Sequence, residues 1–125
     1  MISIVVPTRK DQWQDIKRGD TTLLVMKDYP KQLKENHIIR IVVYLIAPHS
    51  TVVGEFELGR IIKSENGYKE LMVNGGMTLN QLKEYGAGKE LYGWEIKEPY
   101  EYKAVKKLAD FEMVHIPSRW EYLYK

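Results

Sequence analysis

The sequence predicts an α+β fold, a closed mixed β-barrel of about five to seven strands flanked by two or three helices. Three features predict it. Runs of β-branched and apolar residues outnumber runs with helical spacing, and the two kinds do not alternate as they do in a doubly wound sheet. The longest β-type run, Thr51 to Ile62, carries Gly54 and Gly59 inside it, where glycine marks the bends or bulges that close barrels. Short β-rich segments stand near both ends of the chain, so the ends are expected to meet.

The elements follow in order. Ile2 to Val6 is apolar and β-branched and closes at Pro7, which suits a first strand. Lys10 to Arg18 is polar with Trp13 and Ile16 at helical spacing, and Gly19 supplies the stop. Thr22 to Met26 is a second strand, ended by Asp28-Tyr29-Pro30 because the residue before proline is pushed out of the helical region. Ile38 to Ala47 is nearly all apolar, a strand buried on both faces with Arg40 near its rim. Pro48-His49-Ser50 breaks it, and Thr51 to Ile62 returns as the other arm of a hairpin.

Asn66 to Val73 is a helix candidate stopped by Asn74-Gly75-Gly76. Thr78 to Tyr85 is a second one, with Thr78 and Gln81 as a capping box, Leu79 and Leu82 facing inward, and Gly86 and Gly88 as the stop. Leu91 to Lys97 alternates Tyr92, Trp94 and Ile96 against Gly93, Glu95 and Lys97, a half-buried strand. Trp120 to Tyr124 alternates aromatics with other residues and reads as the closing strand. No repeat, low-complexity tract or linker divides the 125 residues, so one domain, 1–125, is expected.

Composition narrows the function classes. The chain is 44% hydrophobic and 29% charged, as an ordinary globular domain is. It has no cysteine, which removes disulfides, thiolate nucleophiles and thiolate metal ligands. The apolar start, Met1 to Pro7, is too short for a signal peptide, and no run reaches the ~18 apolar residues of a membrane span. A soluble, cytoplasmic protein with no membrane partner is expected.

His37, His49 and His115 stand far apart and outside metal-ligand spacing, so no metal and no cofactor is expected. Glu55 and Glu57 share one strand face, a pattern more common on solvated strands than in acid–base pairs. Gly86-Ala87-Gly88 follows a helix and reads as its stop, not as a phosphate loop. Net charge is only +2, but basic residues gather at Arg9-Lys10, Lys17-Arg18, Lys27, Lys31, Lys34 and Arg40, and again at Lys103, Lys106 and Lys107, with Arg119 near the end. Nine tyrosines and three tryptophans against two phenylalanines mean that most rings carry a polar tip. Rings beside cations suit single-stranded nucleic acid, where bases stack and phosphates pair.

The order of these pieces resembles the ASCH domains of the PUA-like class, including the small ones carried by phages and prophages. The resemblance rests on the first strand, the helix ending at Gly19 and the Thr-containing strand; on Val53-Gly54-Glu55-Phe56 and the helix Thr78 to Tyr85; and on Tyr92-Gly93-Trp94-Glu95-Ile96 and Ile116-Pro117-Ser118-Arg119-Trp120-Glu121-Tyr122-Leu123. One branch of that family resembles an amidohydrolase for acetylated cytidine that uses a Lys, a Thr and a Glu. Those would fall on Thr21, Leu24 and about Gly75, none of which keeps the chemistry.

The expected function is therefore non-catalytic binding of RNA, single-stranded nucleic acid or a modified nucleotide in a basic, aromatic cleft between the first helix, its Gly19–Thr22 loop and the barrel edge. Arg9, Lys10, Lys17, Arg18 and Lys27 are expected to face phosphate, Thr21 and Thr22 to hydrogen-bond a base or ribose, and Trp13 to stack. Trp94, Arg119 and Trp120 complete the candidate set, with barrel plugs as the alternative role for the two tryptophans. The alternatives are a small nucleic-acid-processing hydrolase, a nuclease or base deacylase, and a protein-binding module of the phage-inhibitor type, with a protein partner.

Overall fold

In chain order the elements are β1 (Ile2–Thr8), α1 (Lys10–Arg18), β2 (Leu23–Met26), β3 (Ile39–Leu45), β4 (Thr51–Lys63), α2 (Ser64–Gly75), α3 (Leu79–Gly86), β5 (Tyr92–Lys106) and β6 (Glu121–Leu123), with a 3-10 turn at Leu108–Phe111 before β6. This computed structural model describes residues 2–31 and 38–123, with the backbone alone at 65–67. Lys34, His37 and Tyr124, named above, lie outside the described residues.

The strands form one six-stranded mixed sheet in the order β2-β5-β4-β3-β1-β6. β1 runs parallel to β3, with Ile2 opposite Ile39 and Thr8 opposite Leu45, and every other pairing is antiparallel. β6 pairs with β1, Ser3 opposite Leu123, so the two ends meet as expected. Register shifts fall between Val52 and Gly54 and between Leu58 and Ile61, which brackets the two glycines read as bends.

The closed barrel is corrected. β2 and β6 are the two edges and are not paired with each other. β2 is only four residues long and β6 three, and Asp28-Tyr29-Pro30 ends β2's extension with a residue that has no N–H to give a ladder. Side chains span the gap instead. The indole N–H of Trp120 donates to Asp28 Oδ1 at 2.7 Å and Arg119 pairs with Oδ2; on the β5 side, Trp94 donates to the Asp28 carbonyl at 3.0 Å.

Alternation along the strands feeds two cores. Ile4 and Val6 of β1 and Ile41 and Val43 of β3 join Trp13, Ile16, Phe56 and Trp94 on one face. Val5, Val42, Tyr44, Val52 and Leu123 face the other way, under Tyr102, Leu108, Phe111 and Met113. This is why the central strand lacks a polar face. A third cluster of Leu23, Leu71, Leu82 and Leu91 seats α2 and α3 against the sheet. The Thr78–Gln81 capping box is present, at 2.9 and 3.1 Å. Leu82 is fully buried, but Leu79, the first helical residue, lies outside the packed turn and is 40% exposed, which corrects its inward assignment. No helix among the described residues is long and apolar enough to cross a membrane.

Candidate functional site

α1 stands against the sheet because its sequence gives it one apolar stripe and firm ends. Asp11 lies in the first turn and Lys17 and Arg18 in the last, matching the helix dipole. Gly19, at φ +80°, donates its N–H to the carbonyls of Asp15 and Ile16 and stops the helix. Trp13 and Ile16 point into the core, and the face beside them carries Arg9, Gln12 and Asp15, three residues apart in each step.

Those three side chains form one wall of a cleft of about 430 Å³. Thr21 and Leu24 to Met26 form its floor, Gly75 to Met77 its far corner, and Gln81 and Tyr85 of α3 its opposite wall. Thr21 is 7% exposed, and its hydroxyl has no hydrogen-bond partner among the described residues. Gly76, at φ +67°, lets the chain turn here with Thr21 Oγ1 only 3.5 Å from where a Cβ would stand.

A second compartment of about 240 Å³ adjoins it, lined by Lys27, Asp28, Arg119 and Trp120 and sharing Met26 and Tyr85 with the first. The Lys27 ammonium lies 4.7 Å from the Tyr85 ring centroid, and the Arg119 guanidinium 5.6 Å from the Trp120 ring. Burial, and after it the Asp28 carboxylate, pushes the Tyr85 hydroxyl above the usual tyrosine range, so it stays a proton donor.

Of the predicted site residues, Arg9 and Thr21 line the cleft, and Lys27, Arg119 and Trp120 line its extension. Trp13 is corrected: it is 2% exposed and sits in the core, its indole N–H donating to Glu101 at 3.2 Å, so it offers no face to a base. Trp94 is corrected too: it is fully buried in the same core and offers no face to a ligand. Lys10, Lys17, Arg18 and Thr22 are exposed but outside both compartments. Lys17 is held by Glu101 at 2.6 Å, and Arg18 by Asp15 and Asp20. Thr22 works through its backbone, which bonds Asn74 at 2.8 Å and Ile96 at 2.9 Å and ties β2's start to α2 and β5.

The residues missed were Gln12, Asp15, Gln81, Tyr85 and Asp28. A signal existed for two pairs. Gln12 and Asp15 repeat the spacing of Arg9 along α1, and Gln81 and Tyr85 are four apart on α3.

Thr21, Leu24 and Gly75, at or near the positions where the resemblance would place reactive groups, all line this one cleft. Leu24 offers hydrocarbon, and Gly75 offers nothing; a Cβ there would stand 2.8 Å from Val25 Cγ2. The cleft's carboxylate among the described residues, Asp15, is engaged by Arg18. No group of three or more His, Asp or Glu that could hold a metal occurs among the described residues.

No family model matches the chain. The large ribosomal subunit protein uL22 of two strains of Ureaplasma parvum serovar 3 is 30% identical over 94 residues, 70% of this chain, and the chain spans only 29% of its length. Solved structures agree over far more of the molecule. The ASCH protein of Zymomonas mobilis superposes with a TM-score of 0.79 at 15% identity, covering 98% of this chain and 88% of that one. A single-residue variant of it gives 0.80, with 98% and 89% covered. The N-terminal domain of McrB from Staphylothermus marinus gives 0.55 at 12% identity, over 90% of this chain and 80% of that one. The chain carries the fold of an ASCH domain.

Proposed function

We propose that the chain binds single-stranded RNA in this cleft without cleaving it, taking one nucleotide, plain or modified, between α1 and α3. One observation carries the reading. The cleft of about 430 Å³ is lined by the polar side chains of Arg9, Gln12, Asp15, Thr21, Gln81 and Tyr85, while Thr21, Leu24 and about Gly75, where the resemblance would place an amidohydrolase's reactive groups, carry none of them. Gln12, Gln81 and the Thr21 hydroxyl supply hydrogen bonds for a base edge or ribose. Tyr85 supplies a ring, and Arg9, exposed and paired among the described residues with the still more exposed Asp11, supplies a cation for phosphate.

Fluorescence anisotropy with a labelled short RNA at several salt concentrations, followed by a gel of the probe, tests it. Affinity should fall with salt, and Arg9→Ala should reduce the slope by about one contact, roughly 0.7. Tyr85→Ala should cost about 1–3 kcal/mol of stacking and leave the slope nearly unchanged. A shortened probe would identify a nuclease instead. Absence of binding at low salt, or weak binding that neither substitution changes, would leave the cleft without this role. A matched DNA strand in parallel reads whether the ribose hydroxyl contributes.

A further inference from the structure

The two compartments differ in charge as well as size. The larger contains Arg9 and Asp15, one charge of each sign. The smaller contains Lys27 and Arg119 against Asp28, one cation in excess. Asp28 spends both carboxylate oxygens locally, Oδ1 on the Trp120 indole and Oδ2 on Arg119. Lys27 has no ion-pair partner among the described residues and rests over the Tyr85 ring. A neutral chamber and a cationic one thus lie side by side, with Tyr85 and Met26 as their common wall.

The smaller chamber is also built to receive a ring. Trp120 is half-buried, pinned by its bond to Asp28 at 2.7 Å and by edge contacts to Trp94 and Tyr122 at 5.7 and 5.5 Å between centroids. A surface already fixed in place loses little conformational freedom when a base stacks on it. At about 240 Å³ the chamber falls below the ~300–1,000 Å³ of clefts that hold a ligand alone, whereas the larger one falls inside that range. The small chamber therefore works as an extension of the large one.

We infer that the site takes two successive nucleotides of a chain, with an uncharged base in the larger chamber, the linking phosphodiester at Lys27, and the neighbouring base against Trp120. The inference rests on the reading that the cleft binds RNA, and adds that its unit of recognition is the dinucleotide step. A single phosphodiester carries one negative charge, which the single excess cation offsets. The backbone passes Tyr85, whose ring is already backed by the Lys27 ammonium.

Competition against a labelled RNA compares a nucleoside 5′-monophosphate, the 3′-monophosphate and the corresponding dinucleotide. The dinucleotide should bind at least about tenfold more tightly than either monophosphate, the gain of one stacked base and one phosphate contact. Lys27→Gln, at an exposed position, should remove most of that gap and weaken only one of the two monophosphates, the one whose phosphate stands at the linking position. Arg9→Gln should weaken all three competitors alike. Equal affinity for monophosphate and dinucleotide, with Arg9→Gln still weakening both, would overturn the two-nucleotide site and leave the single-nucleotide cleft standing. Equal losses for all competitors in Lys27→Gln would also overturn it. If no competitor and no labelled RNA binds, both readings fall together.

Discussion

At Gly54 a Cβ would stand 2.3 Å from the carbonyl oxygen of Tyr100 and 2.6 Å from the Trp13 ring. The backbone oxygen belongs to the β4–β5 ladder and cannot step aside, and the ring is walled in by the core. Gly54→Ala should cost about 3 kcal/mol, the upper end of overpacking. Gly19 is glycine for another reason: it has nothing within 4 Å, and only its φ of +80° penalises a side chain. Gly19→Ala should cost about 1–2 kcal/mol. Urea midpoints at constant slope rank the two, and a reversed order would contradict the close-approach account of Gly54. The same contact explains why Trp13 misleads in the sequence. Its neighbours Gln12, Gln14, Lys10 and Lys17 are polar, so local reading places the ring outside. What takes it inside is a glycine 41 positions away and a glutamate 88 positions away, pairings that no local pattern encodes.

At the scale of elements, α1 is pinned to β5 through one carboxylate. Glu101 accepts from the Lys17 ammonium at 2.6 Å and from the Trp13 indole at 3.2 Å, while the adjoining face of the helix furnishes Arg9 and Gln12 to the cleft. The Lys17 hydrogen bond above all holds the Glu101 pKa below its ordinary 4.5. A depressed carboxyl contributes stability that is present above its unfolded pKa and lost as pH falls through the folded one. Wild type should therefore melt above Glu101→Gln at neutral pH, and the difference should close as pH drops below about 4.5. A gap that persists to low pH would assign the contribution to the neutral indole bond instead. Elements with local signals were legible in the sequence: α1 runs over the predicted Lys10–Arg18, and the Thr78 capping box opens α3. β5 was read only to Lys97, because its second half, exposed along much of its length, owes its strand form to pairing with β4.

For the whole molecule, the sequence predicts closure and the structure has two edges, with Asp28 at the seam near them. Register shifts fall at Gly54 and Gly59 as the sequence signals, but the link near the two edges is made by side chains more than 90 positions apart, Asp28 with Arg119 and Trp120. Sequence pattern reports curvature strand by strand and carries no such pairing. The candidate site was partly legible for the same reason: Arg9 and Thr21 belong to local motifs, whereas the second chamber exists only because the last segment returns to β2's end. A seam of side chains has a different mechanical character from a backbone ladder, since no run of amide bonds reinforces it. Asp28→Ala removes the acceptor for the Trp120 indole and the partner of Arg119 while leaving its carbonyl for Trp94, and should cost about 1–2 kcal/mol, given how exposed the arginine is. Asp28→Asn keeps an acceptor for the indole and should recover most of that loss. The loss should be local. Hydrogen exchange should quicken in β2 and β6, the two edges, while the β3–β4 centre keeps its protection, because local opening is set by the contacts nearest the break. Faster exchange across the whole sheet would mean that Asp28 supports the global fold, and unchanged exchange at both edges would mean that the seam carries no weight.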